Sequence, residues 1–160
     1  MDQVEELILL VKAAQREGDR RVNEALRPLG LTAAQAEVLQ ILDQAGPLSL
    51  GELGDLLVAE GGHPSRLVDR MVKAGHLRRM VSALDRRRLE LSLTEQGRAL
   101  ARQAARKKRA LLERSRSLLK SHDIEPIRAL LEDYLADSAW RRTVQLRRQL
   151  SDQEDDRASS

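Results

Sequence analysis

Guanidinium and ammonium groups crowd into one stretch of the chain. Arg66, Arg70 and Lys73 follow one another at helical steps, and Arg78 to Arg88 holds five arginines against one acid, Asp85. A guanidinium fork pairs with phosphate oxygens or with a guanine edge through two parallel N–H donors, so this residue type at this density suits a polyanion. The candidate contact residues fall in two groups. His63, Pro64, Ser65, Arg66, Asp69, Arg70 and Lys73 form the first, and Asp85, Arg86, Arg87 and Arg88 the second. The competing reading of any basic run is a solvated charged face, and we apply it to Arg98–Arg116. For Arg78–Arg88 the hairpin pattern described below favours nucleic acid. Net charge is only +3, but the stretch from Ser151 is acidic; without it the first 150 residues hold 27 basic and 21 acidic side chains.

Other chemistry finds little support. His63, His76 and His122 are scattered; Asp69, His76 and Glu60 lack the spacing of a metal site, so we expect no metal and no cofactor. Gly51 and Gly54 fall within a helical pattern and Gly61-Gly62 in a turn, so neither pair is a phosphate cradle. There is no nucleophile elbow and no P-loop. An enzyme is not expected. With no cysteine, disulfides, thiolate zinc sites and cysteine redox sensing are excluded. The apolar run Leu7–Val11 is too short to span a bilayer and no segment approaches the required ~20 residues. A cytoplasmic protein without membrane contact is the expectation.

The elements that must carry the basic residues can be read from periodicity. Leu67, Val68, Met71 and Val72 share one helical face, which leaves Ser65, Arg66, Asp69, Arg70 and Lys73 on the others. Pro64 suits the start of that helix and Gly75 the residue past its end. Leu89, Leu91 and Leu93 then alternate with polar residues as a half-buried strand does, and Leu77–Val81 is its plausible partner. SALDRRR joins the two strands. Upstream, Thr32 with Gln35 and Ser49 with Glu52 are capping boxes that open two helices. The first would bury Val38, Leu39, Ile41, Leu42 and Ala45, the second Leu50, Leu53, Leu56 and Leu57. The helices Ser49–Ala59 and Pro64–Ala74 then form a helix-turn-helix. A long amphipathic helix from Asp2 to about Arg27 precedes them. Another runs from Thr94 to about Lys120, and a last helical region begins near Ile124. Its stripe of Ile127, Leu130, Leu131, Tyr134 and Leu135 is clear, but the phase beyond Asp137 is not. The fold class is mainly α with a small β-hairpin wing. The domains are an N-terminal helix (1–30), a winged helix-turn-helix lobe (31–97), C-terminal helices (98–150) and a disordered acidic tail (151–160).

This order of elements, with DRRRLELSLT at Asp85–Thr94, resembles the MarR family (multiple antibiotic resistance regulators). That family carries Asp-x-Arg, five residues and then Leu-Thr; here these are Asp85, Arg87, Leu93 and Thr94, and the Gly97 that usually follows is present. Leu67–Arg79 looks like the family's recognition helix and its exit. The resemblance implies a homodimeric transcription factor, a repressor on a palindromic operator, whose first and last helices intertwine. The Ser65–Lys73 face would enter the major groove of double-stranded DNA and the wing the adjacent minor groove. Arg87 would be the wing arginine, and Asp85 the acid that steadies it. A small-molecule effector would bind between the dimer helices and the lobe and loosen DNA. This chain departs from the pattern in three ways: it lacks the cysteine of the oxidation-sensing branch, it has few aromatic rings, and it extends further past Asp137. The alternative function is a winged helix that binds another protein, or DNA without sequence choice, and has no effector.

Overall fold

The computed structural model describes residues 1–58, 64–83 and 85–158. Asp2 caps α1 (Gln3–Leu26) by accepting the Val4 and Glu5 N–H groups, and a single 3₁₀ turn (Arg27–Leu29) ends at Gly30 with φ +66°. Thr32 and Gln35 bond reciprocally to open α2 (Ala33–Ala45), and Ser49 and Glu52 do the same for α3 (Leu50–Leu56), as the capping boxes require. α4 (Ser65–Lys73) follows, then β1 (Leu77–Val81), β2 (Leu89–Leu93), α5 (Glu95–Leu119), α6 (Glu125–Tyr134) and α7 (Ala139–Ala158). The strands pair antiparallel with Leu77 opposite Leu93 and Val81 opposite Leu89. Leu48 bridges the outer side of β2, exchanging both backbone hydrogen bonds with Leu91. The result is a mainly helical chain with a two-stranded wing, the architecture expected from the pattern.

One aliphatic core lies inside the lobe. Val38, Leu39, Ile41 and Leu42 of α2, Leu53 and Leu56 of α3, and Leu67, Val68 and Met71 of α4 are buried together with Leu77, Leu91 and Leu93 of the wing. Ala101 and Ala104 bring α5 onto it, where small side chains allow close approach.

Several expectations need correction. α3 ends at Leu56 rather than Ala59. Leu57 turns extended, and the Glu37 carboxylate on α2 accepts the Val58 N–H at 3.2 Å, so a tertiary bond replaces the next helical one. Leu50, expected inward, lies at the exposed start of α3. Leu89, also expected inward, is 59% exposed, because it pairs with the exposed Val81 where the hairpin projects past the core. Helix α7 runs through Ala158, into the stretch from Ser151 whose composition suggests disorder. Once a helix exists, each further residue adds one hydrogen bond, so propagation from Ala139 outweighs local composition.

Candidate nucleic-acid interface

Helix α4 sorts its residues cleanly. Leu67, Val68 and Met71 are buried, while Ser65, Arg66, Asp69, Arg70 and Lys73 face outward. Pro64 stands at the N-cap and is buried; a methyl group at Gly54 of α3 would touch its ring at 3.6 Å. It therefore shapes the α3–α4 approach and offers no exposed side chain to a ligand. His63 lies outside the described residues.

The C-terminal end of α4 is fastened to α5. Gly75 takes φ +76° just past the helix, a conformation glycine adopts without a Cβ penalty. The Thr94 hydroxyl donates to the Gly75 carbonyl at 2.6 Å and accepts the Gly97 N–H at 2.9 Å, so it caps α5 and holds the exit of α4 at once. Gly97 has no room for a side chain, since a Cβ there would sit 2.0 Å from the His76 carbonyl oxygen.

The charged groups fall into two populations. Asp69 on α4 pairs with Arg79 on β1 at 2.5 Å, and Arg88 of the wing pairs with Glu52 of α3 at 3.0 Å. Arg78 donates from Nε to the Ser92 hydroxyl across the hairpin. Asp69 and Arg88, both expected as contact residues, are thus engaged in binding the lobe to itself. Ion-pair partners are lacking, among the described residues, for Arg66, Arg70, Lys73, Arg86 and Arg87. Asp85 does not reach the Arg87 guanidinium. Its carboxylate accepts the Arg87 backbone N–H at 2.9 Å and its carbonyl accepts the Arg88 N–H at 2.9 Å, so it folds the loop through the main chain.

Glu52 joins a helix cap to the wing. The Ser49 hydroxyl, then the Ser49 backbone N–H and then the Arg88 guanidinium hold its carboxyl down to about 2. Spacing could not have shown this pair, because Glu52 and Arg88 are 36 positions apart. Asp69 and Arg79 were missed as a pair for a related reason: they straddle a turn, where neither helical nor strand periodicity applies.

A cleft of about 940 Å³ opens between α1, α2, α5 and the start of α7. Val22, Ala36, Ala101, Ala104, Trp140 and Val144 supply apolar walls. Lys108 enters it and donates to Gln40 at 2.7 Å. Burial, and then the nearby Arg147, push the Lys108 ammonium below its ordinary value, against a smaller opposing pull from Glu37. Arg70 of α4 also reaches the edge of this cleft. Among the described residues no cluster of His, Cys, Asp and Glu could hold a metal ion, and no helix is long and apolar enough to cross a membrane.

A helix-turn-helix followed by a hairpin whose tip carries Arg86 and Arg87 defines a winged helix. Residues 31–89 match the MarR family. It is 34% identical over 94 residues to the multiple antibiotic resistance protein MarR of Escherichia coli; the match takes in 59% of this chain and 65% of that one. The chain thus spans somewhat under two thirds of that relative. It is 28% identical over 120 residues to YfiV, an uncharacterized HTH-type transcriptional regulator of Bacillus subtilis, covering 75% of this chain and 74% of the relative. Among solved structures, a mutant E. coli MarR complexed with operator DNA superposes with a TM-score of 0.69 at 29% identity, over 84% of this chain and 99% of that one.

Proposed function

We propose that this chain is a DNA-binding transcriptional regulator that acts as a homodimeric repressor on a roughly palindromic operator and is released by a small molecule. The observation that carries this reading is the sorting of charge on the lobe. Arg66, Arg70 and Lys73 of α4 and Arg86 and Arg87 of the wing have no ion-pair partner among the described residues, while Asp69 and Arg88 are occupied internally. Ser65, Arg66 and Arg70 can read base edges in the major groove. Arg87 suits the minor groove, whose width-dependent potential attracts a guanidinium. The likeness to a MarR solved on operator DNA supports the same reading. The effector would occupy the cleft beside Lys108, whose aliphatic walls suit an apolar body and whose ammonium suits an acid.

Footprinting of the promoter beside the protein's own gene, followed by titration of the protected duplex, tests this. Affinity should fall steeply with salt as Lys and Arg displace condensed counterions, and random duplex should bind far more weakly. Flat salt dependence, or equal affinity for random duplex, would remove the proposal in favour of a protein-binding winged helix or a non-selective coat.

A further inference from the structure

The recognition helix is held at both ends, by different struts. Its C-terminal exit is tied to α5 through Thr94 and the close approach at Gly97. Its N-terminal end rests through Pro64 on Gly54 of α3. Helix α3 is in turn packed by α7. Thr143 of α7 is buried, Leu146 one turn on packs against the lobe core, and Arg142 reaches Asp55 of α3 at 3.3 Å. The other side of α7 belongs to α6. Arg148 pairs with Glu132, and in the short connection the Ser138 hydroxyl donates to the Leu135 carbonyl at 2.9 Å. α7 is thus bonded to the lobe on one side and to the terminal helices on the other. α1 and α5 already pack on α2 of the lobe. α7 adds an attachment at α3, the helix on which the N-terminal end of α4 rests.

We propose that α7 is a positioning strut which, through Thr143, Leu146 and the Arg142–Asp55 pair, fixes the tilt of the helix-turn-helix and so selects the spacing between operator half-sites. The proposal rests on the DNA-binding reading above. Its physical basis is angular: moving one half-site by a single base pair displaces it by about 3.4 Å and rotates it by ~34° about the duplex axis, which a rigid pair of lobes cannot follow. A lobe released from α7 can.

The test uses the full chain and duplexes whose half-sites, taken from the wild-type footprint, are shifted by −1, 0, +1 and +2 base pairs. The variants are Thr143→Glu, which forces a charge into the buried contact, Arg142→Glu, which sets two acids against each other, and the exchange Asp55→Arg with Arg142→Glu. Wild type should prefer its own spacing by about tenfold or more, in line with the cost of a mismatched site. Thr143→Glu should compress that preference to about threefold or less with salt dependence and dimer mass unchanged. Arg142→Glu should do so less strongly, and the exchange should restore the preference. Should Thr143→Glu fail to fold, the exposed Arg142 pair and its exchange carry the test. An unaltered spacing profile in folded variants, or a uniform loss of affinity at all spacings, would overturn the strut. If wild type itself shows no site preference, the DNA-binding reading fails first, and it does so visibly in the unmutated protein.

Discussion

On the DNA-binding reading, Asp85 would matter to DNA without facing it. Plain electrostatics says that removing a carboxylate near phosphate improves binding. The structure gives that carboxylate a loop to fold, by accepting the Arg87 N–H. Asn can accept the same bond and carries no charge, whereas Ala is equally uncharged but cannot accept it. Asp85→Asn should therefore bind one fixed operator at least as well as wild type, and Asp85→Ala several-fold more weakly, in a titration at constant salt. Tighter binding by both would mean that the wing acts as bulk positive charge. Lys108 is the second residue whose surroundings set its role. Its ammonium is desolvated in the cleft and crowded by Arg147, with one hydrogen bond to Gln40 in return. Because its folded value is depressed, the group works against folding while it stays protonated, and that penalty fades as pH rises toward 10.5. Lys108→Met should leave the melting temperature unchanged or slightly raised near neutral pH. It should also abolish any release of DNA by small organic acids while leaving basal affinity within about twofold, since Lys108 belongs to α5 and not to α4 or the wing. A variant that still responds to the acids would clear Lys108 of the anchoring role.

At the level of elements, the wing is stapled to α3 by Arg88 and Glu52, which yields a pH prediction. The Glu52 carboxyl is held at about 2, against an ordinary 4.5. A depressed carboxylate contributes stability that is complete above its unfolded value and is lost as pH falls through the folded one. The contribution should therefore decline between about pH 5 and pH 2. Both side chains are half exposed, so it amounts to about 0–1 kcal/mol after solvent screening. Glu52→Gln should melt slightly below wild type at neutral pH, with the difference closing toward pH 2; parallel curves throughout would show that the ionised carboxylate contributes nothing through either the Ser49 cap or the Arg88 pair. Local rules made most of these elements legible. Capping boxes at Thr32 and Ser49, Gly75 beyond α4, and the alternation in β2 are signals that neighbouring residues carry. What escaped was tertiary. The end of α3 is set by Glu37 reaching across from α2 to Val58, the exposure of Leu89 by where the core stops, and the continuation of α7 by a helix already nucleated upstream. Residue types identified the basic candidates, but which of them are spent on Asp69 or Glu52 depends on chain positions that periodicity does not connect.

For the whole molecule the decisive feature is apolar surface on the terminal helices. Leu7, Ile8 and Val11 of α1 are 47–48% exposed, and Leu130 and Leu131 of α6 are 53% and 42% exposed. Ile124, Ile127 and Tyr134 are exposed as well. The lobe, by contrast, has a closed core. Apolar exposure on this scale exceeds what monomers ordinarily leave in water, and a two-fold partner would cover it because each copy brings the same residues. Sedimentation at low micromolar concentration should give about twice the chain mass of 18.0 kDa. Ile8→Asp together with Leu131→Asp should shift the population to monomer without unfolding the lobe, whose core neither residue joins. Operator affinity in that variant should drop by orders of magnitude, because two half-sites are then bound by separate molecules instead of one linked pair. Binding to an isolated half-site should stay close to the wild-type value. A wild-type chain that sediments at 18.0 kDa, or a double variant that holds its full operator affinity, would rule out dimeric recognition and leave each lobe to bind alone.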